Sequence, residues 1–228
     1  MELERPPTGI IGATVEELRA AGPAPGILSP STAGLDPHLA TMACALPLGD
    51  ANAALLDETR AGVGDDSAFA AVLAHDPFRK LGKFLEELSG HGVRRIINWP
   101  SVSVLDGEHA AALEHSGFTW AGELALLREA AAAGFATAVV IHEEAQIGPA
   151  LEIRPDMLLL TPGLARRDPG RQRERAAEFV TLVTEARQTT EVALRVHLHP
   201  AFAGLLQAQL PADVGFIQHR SGAAEPVQ

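Results

Sequence analysis

Three observations predict a (β/α)8 barrel. From Ser67 onward, runs rich in Val, Ile and Leu alternate with segments of helical period, the pattern of repeated βα units around a parallel sheet. The candidate strands recur at regular spacing, which favours a barrel over an open doubly wound sheet. Histidines stand where four of the runs end, at His75, at His142, at His197 with His199, and at His219. On parallel strands these side chains meet at one end of one sheet, where α/β proteins place their chemistry.

The elements follow in order. Ile10-Ile11-Gly12-Ala13 reads as a degenerate first strand and Val15–Ala21 as a stunted helix before Pro23 and Pro25, so residues 1–25 form an eroded N-terminal unit. Gly26–Ser29 is the next strand candidate. Asp50 is placed to cap a helix over Ala51–Thr59 by accepting from a first-turn N–H. Six further strands fall near Ala68–Ala74, Arg95–Pro100, Thr137–Ile141, Met157–Thr161, Val192–His199 and Gly215–Gln218. Between them, Phe78, Leu81, Leu85 and Leu88 form one apolar stripe, as do Trp120, Leu124, Leu127 and Ala131, and Ala176, Phe179, Val180 and Val183. Gly92, Gly117 and Gly134 stand where helices should stop with a positive φ. The count is seven clear strands, one short of eight, and the deficit lies at the N-terminus. An incomplete barrel, or one closed by a neighbour, is therefore an expectation. Residues 1–228 read as a single domain, with 222–228 a loose tail.

Composition narrows the function. With 228 residues and 46% hydrophobic content the chain can bury a large core. A net charge of −11 without any Lys/Arg-rich run argues against nucleic acid as a partner. Cys44 is the only cysteine, which excludes an internal disulfide and reads as a small buried hydrophobe. The start lacks the basic and apolar regions of a signal peptide and no run reaches membrane-spanning length, so a cytoplasmic protein without a membrane role is expected. The absence of a Gly-x-Gly-x-x-Gly or Walker loop argues against a nucleotide cofactor.

The chemistry-bearing residues gather at the strand ends. A strand's period of two sends His197, His199 and Arg195 to one face, with Leu194, Val196 and Leu198 toward the helices. An inward His-x-His of this kind suits a divalent metal ion, with His75 and His219 as further ligand candidates. The other reading is hydrogen-bonded histidines at a strand that Pro200 ends. Asp76 before Pro77 is a natural N-cap, and on the active face of a barrel it could also bind a cation or orient a general base. His142 precedes Glu143 and Glu144, where a carboxylate can raise its pKa and make an acid–base pair, while the glutamates themselves read as ordinary dipole complements in a helix's first turn. Arg220, after the last strand, stands where barrels grip phosphate or carboxylate. Asn98 donates to a substrate oxygen or ties the Pro100 loop. His38, His91, His109 and His115 read as solvated, and the run through Arg171, Arg173 and Arg175 reads as a solvated helix start.

Leu46-Pro47-Leu48-Gly49-Asp50-Ala51-Asn52, His75-Asp76-Pro77-Phe78, Asn98-Trp99-Pro100-Ser101-Val102 with Leu105-Asp106-Gly107, and Glu114 through Gly117 occur in that order. From about Leu46 to Gly163 the chain thereby resembles the phosphoenolpyruvate hydrolase-like TIM-barrel family, itself similar to the C-terminal domain of a plant virus-resistance protein. The resemblance implies a TIM barrel, often a homo-oligomer, related in fold to enzymes of small oxo acids. It implies roles for Asp50 and Asn52, and His197 matches a histidine position of the family. Two stretches depart from the family's pattern, Ser29–Leu35 and Pro162–Arg167.

The combined expectation is an enzyme that cleaves or rearranges a small anionic oxo acid, as a lyase or hydrolase, by acid–base or metal-assisted chemistry. Its catalytic residues would be His142, His197 and Asp76. Asp50, Asn52, Asn98 and Arg220 would bind substrate, and His197, His199, His75 and His219 would bind metal. The rival expectation is a barrel without catalysis that senses a ligand or binds a partner.

Overall fold

The computed structural model describes residues 6–45, 49–63, 68–76 and 79–220, with the side chain of Cys44 excluded. The expectations for Cys44, for Pro77 and Phe78, and for the 222–228 tail lie outside what it describes. Its strands are β1 (Gly9–Gly12), β2 (Ile27–Leu28), β3 (Phe69–Ala71), β4 (Arg95–Ile97), β5 (Ala136–Ile141), β6 (Met157–Leu160), β7 (Ala193–His197) and β8 (Gly215–His219). All neighbours pair in parallel, and β8 returns to β1 to close the barrel. The fold is thus the (β/α)8 barrel read from the sequence.

The expectation of a missing or borrowed first strand is corrected. β1 is a full member of the sheet, pairing Ile11 with Ile27 of β2 and with His219 of β8. Its apolar run is weak because glycines bracket it, and one of them is required by packing. A Cβ on Gly9 would stand 1.8 Å from the Pro25 carbonyl oxygen, so only glycine lets the chain entering β2 pass this close. The unit read as eroded also contains α1 (Val15–Ala21), capped by Thr14 and packed through Val15 and Leu18.

Strand alternation divides the core in two. Ile11, Ile27, Phe69, Ile97, Val140, Leu159 and Ile217 point inward, with Trp99 above them, and fill the barrel. Leu28, Ile96, Val139, Leu158, Val196 and Phe216 point outward against the helices. The helices that cover them include α3 (Ala51–Thr59), α4 (Leu81–Gly90), α6 (Trp120–Ala132), α7 (Ile147–Leu151), α8 (Pro169–Thr189) and α9 (Pro200–Leu206), while α2 (Pro37–Met42) lies at the rim and α5 (Gly107–His115) packs through Leu113 on the segment after β4. The predicted stripes are the buried faces: Leu85 and Leu88 of α4, Leu124 and Leu127 of α6, and Phe179 and Val183 of α8 are sequestered. Gly92, Gly117 and Gly134 take φ values of 86°, 82° and 90° at helix ends, the left-handed conformation anticipated for them. No described helix is long and apolar enough to cross a membrane.

Replacing Gly9 with Ala should force the seam apart and cost on the order of 3 kcal/mol. Gly82→Ala, in α4 with no neighbouring atom within 4 Å, should be neutral or slightly stabilising. Urea unfolding of the two variants checks the contrast.

Candidate active site

The site lies at the C-terminal ends of the strands. β7 leaves the ladder after His197, earlier than its apolar run suggests, because Pro200 begins α9 and His199 becomes that helix's cap. The Ala201 N–H donates to His199 Nδ1 at 3.1 Å. His197 remains inside, its Nδ1 at 3.2 Å from the Thr161 hydroxyl, which also accepts from the Gly163 N–H at 3.2 Å. His219, at the end of β8, faces the His197 ring at a centroid separation of 5.2 Å. Trp99 stacks edge-on against His197 at 4.7 Å, and His199 stands 6.0 Å from it. His38, expected to be solvated, joins the group 6.0 Å from His199. The first turn of α2, which carries His38, lies at the rim beside His199, and the chain's linear order does not show this.

These rings have unusual surroundings. Trp99, His197 and His199 are 1%, 0% and 3% exposed. Among the described residues, Trp99 Nε1, the Nε2 atoms of His197, His199 and His219, and His38 Nδ1 are buried without a hydrogen-bond partner. Burial drives the His197 pKa well below the ordinary histidine value, helped by the charges that His219 and His199 would carry. Burial likewise brings His199 and His219 down to about 4, against a nearby Asp36 that opposes the shift. His197, His199 and His219 are therefore neutral at physiological pH. A cleft of about 380 Å³ opens beside it, lined by Asp36, His38, Arg166, Arg167, His199 and Ala201. Among the described residues, no three His, Cys, Asp or Glu side chains stand together at metal-holding spacing.

Two of the anticipated histidines lie elsewhere. His75 turns toward the start of α6, where its Nε2 donates to the Thr119 carbonyl at 3.0 Å and its ring meets Phe118. His142 turns outward to α8. Its Nδ1 donates to the Thr161 carbonyl at 3.1 Å, and Arg175 donates to Nε2 at 3.3 Å and to the His142 carbonyl at 2.9 Å. Both ring nitrogens are thus engaged. Burial and then the Arg175 charge lower the His142 pKa to about 4, opposite to the rise anticipated from the neighbouring glutamates. Glu143 instead caps the turn over Glu144–Gln146 in a reciprocal capping box with Gln146. Arg175 is correspondingly half-buried rather than solvated.

The remaining anticipated residues brace the rim. Asn52 donates to the Leu73 carbonyl at 2.9 Å and to Asp76 at 2.8 Å, and accepts from the Leu73 N–H at 3.0 Å. Its amide is occupied inside the protein. Asp50 caps α3 as expected by accepting from the Ala53 N–H, and Arg79 bridges Asp50 at 2.6 Å and Asp76 at 3.3 Å. Asn98 accepts from the Val140 N–H at 2.9 Å and donates to Glu123 at 2.7 Å, so it ties the β4 loop. Arg220 faces Glu17 at 3.7 Å, beside the β1–β8 seam.

Glu123 escaped the sequence reading. It lies one turn beyond Trp120 on the buried stripe of α6, and a carboxylate on an apolar face was the available signal. Three donors meet it: Asn98, the Ser101 hydroxyl at 2.6 Å and the Val102 N–H at 2.8 Å. Burial outweighs them and raises its pKa to about 7. Through these bonds Glu123 holds the segment that presents Trp99. Arg79 and Thr161 were also missed, because the shorter of Arg79's two ion pairs, to Asp50, and Thr161's contact with His197 join residues distant along the chain.

The buried histidines make stability depend on acidity. His142 binds a proton near 6.5 when unfolded and near 4 when folded, so its favourable contribution is intact above pH 6.5 and is lost as pH falls through 4. Urea midpoints of His142→Gln should therefore decline less than those of the parent between these pH values. The difference should reach about 3 kcal/mol at pH 4.

Four similarities give this geometry a context. Over 113 residues the chain is 43% identical to an uncharacterized protein, y4oT, of Sinorhizobium fredii (strain NBRC 101917 / NGR234), covering 49% of this chain and 58% of that protein. Over 100 residues it is 33% identical to the ToMV resistance protein Tm-1(GCR237) of Solanum lycopersicum, covering 42% of this chain and 13% of that protein. The chain thus spans just over half of one relative and a small part of the other. Among solved structures, the YdjI aldolase of Escherichia coli K12 aligns with a TM-score of 0.44 at 12% identity, covering 94% of this chain and 74% of that one. Residues 37–202, from α2 through the start of α9, match the family described as phosphoenolpyruvate hydrolase-like, and the chain belongs to that family.

Proposed function

We propose that the chain is a small-molecule enzyme of the lyase or hydrolase type, using acid–base chemistry on a small anionic oxo acid at the C-terminal rim. His197 carries this reading. It is fully buried and neutral, its Nδ1 is held by Thr161, and its Nε2 has no partner among the described residues. An imidazole oriented through one nitrogen and free at the other is the form in which histidine takes up a proton.

The surroundings support the substrate class. The cleft beside His199 has the size of a small-molecule site, and Arg166 and Arg167 line it. On a protein of net charge −11, two guanidinium groups at one cleft mark it as a place for an anion. The family description names phosphoenolpyruvate, a small anion of an enol acid, which supports the same choice. In this reading Thr161 orients the ring, His197 moves the proton, and Arg166 with Arg167 neutralises the carboxylate. Asp50, Asp76 and Arg79 stiffen the neighbouring rim. Arg220 plays no part, since it is turned to Glu17.

Turnover of a panel of 2-oxo acids and enol esters tests the proposal. His197→Gln should lose roughly 100-fold or more in kcat with the fold retained. His142→Gln should leave kcat little changed. If the unmodified protein turns over none of the panel, the non-catalytic reading takes its place.

A further inference from the structure

We infer that Trp99 and His199 supply the N–H donors of an oxyanion pocket beside His197, with the His219 ring closing its wall, and that this pocket takes an oxygen of the substrate directly and uses no metal there. The inference rests on the reading of this rim as the substrate site. Trp99 is its fixed point. An indole N–H can only donate, and this one is buried at the barrel mouth without a partner among the described residues. His199 is the second donor. Its Nδ1 accepts from the Ala201 N–H, so the neutral ring must carry its proton at Nε2, which is also buried and unpartnered. His219 adds another unpartnered Nε2.

All three rings pack around the His197 ring, at centroid separations of 4.7, 6.0 and 5.2 Å for Trp99, His199 and His219. Unpaired buried donors are costly, and several gathered around one imidazole call for an acceptor from outside the protein. Donors fixed in water-excluded surroundings best stabilise an oxygen on which negative charge develops. In the tautomer whose Nδ1–H donates to Thr161 Oγ1, His197 Nε2 keeps a lone pair. It can then remove a proton from the carbon next to a substrate carbonyl. The C–H electron pair becomes the C=C bond, and the carbonyl π pair moves onto oxygen as an enolate. That oxygen is the acceptor for the Trp99 and His199 N–H groups.

The candidate divalent metal fits this donor set poorly. A metal needs a lone pair at each ligand nitrogen. While His199 caps α9 its Nε2 offers a proton instead, and Trp99 has no lone pair to give. The described residues also place no three ligand-type side chains at metal-holding spacing.

Trp120 supplies an internal reference for a test, since its Nε1 already donates to the Val140 carbonyl at 3.0 Å and the chain has only two tryptophans. Oxalate, a planar dianion that resembles the enolate of a small oxo acid, is titrated into EDTA-treated, 15N-labelled protein while the indole N–H resonances are followed, with Trp99→Phe assigning the peaks. The Trp99 resonance should move and the Trp120 resonance should not. His199→Asn keeps an acceptor for the cap but lacks the reach of Nε2. It should weaken oxalate about tenfold or more while an unshifted Trp120 peak reports an intact fold. Oxalate binding that appears only with added zinc, nickel or magnesium, or that moves neither indole, overturns the pocket. Turnover reads the parent proposal separately. Activity with an unmoved Trp99 removes the pocket and keeps the enzyme, whereas a moved Trp99 without turnover of any oxo acid does the reverse.

Discussion

Closure of the barrel at the β1 seam is the constraint on which the rim depends. His219 enters the cluster because β8 pairs with β1 in a register that sets it opposite Ile11. That register requires β1 to lie close to the chain entering β2, which Gly9 alone permits. Once the sheet is closed, alternation directs every second residue inward, and an inward residue at a strand's last position has only the mouth to occupy. His197 and His219 are such residues, Thr161 stands one residue beyond the end of β6, and Trp99 two residues beyond the end of β4.

Two polar braces keep the mouth in shape. One runs from Asn98 through Glu123 to Ser101 and Val102 and fixes the segment that carries Trp99. The other links Asn52, Asp76, Arg79 and Asp50 and joins the start of α3 to the loop after β3. Both bury carboxylates or amides whose hydrogen-bonding capacity is used inside the protein, the condition under which a polar network adds rigidity rather than cost. Their residues are chemically able to meet a substrate, yet here their polar groups are spent on one another and on the backbone.

Electrostatically the site is quiet. Burial holds His197, His199 and His219 neutral, and the positive charge near them comes from Arg166 and Arg167 at the cleft's edge. This division suits an anion whose charge is matched outside and whose reacting oxygen meets N–H dipoles inside. Arg166 is also paired with Asp106 of the α5 start, so the edge charge is itself anchored.

Much of the fold was legible from residue order. Periodicity located the strands after Ser67, the stripes that face the sheet, the glycines that end helices and the Asp50 cap, because each depends on neighbours a few residues away. The first strand was harder to read, since a short run bracketed by glycines has little pattern and its partners lie at β2 and β8. The sequence alone determined that histidines end several strands. It could not determine which of them share a space. His142 and His197 look alike as strand-end residues, but Arg175 of α8 draws one outward while Thr161 holds the other in. His38 and Glu123 reached the site's surroundings against their local pattern, through contacts with His199 and Asn98. Those assignments belong to tertiary structure, because a side chain's partner across a barrel is set by closure and register rather than by its neighbours in the chain.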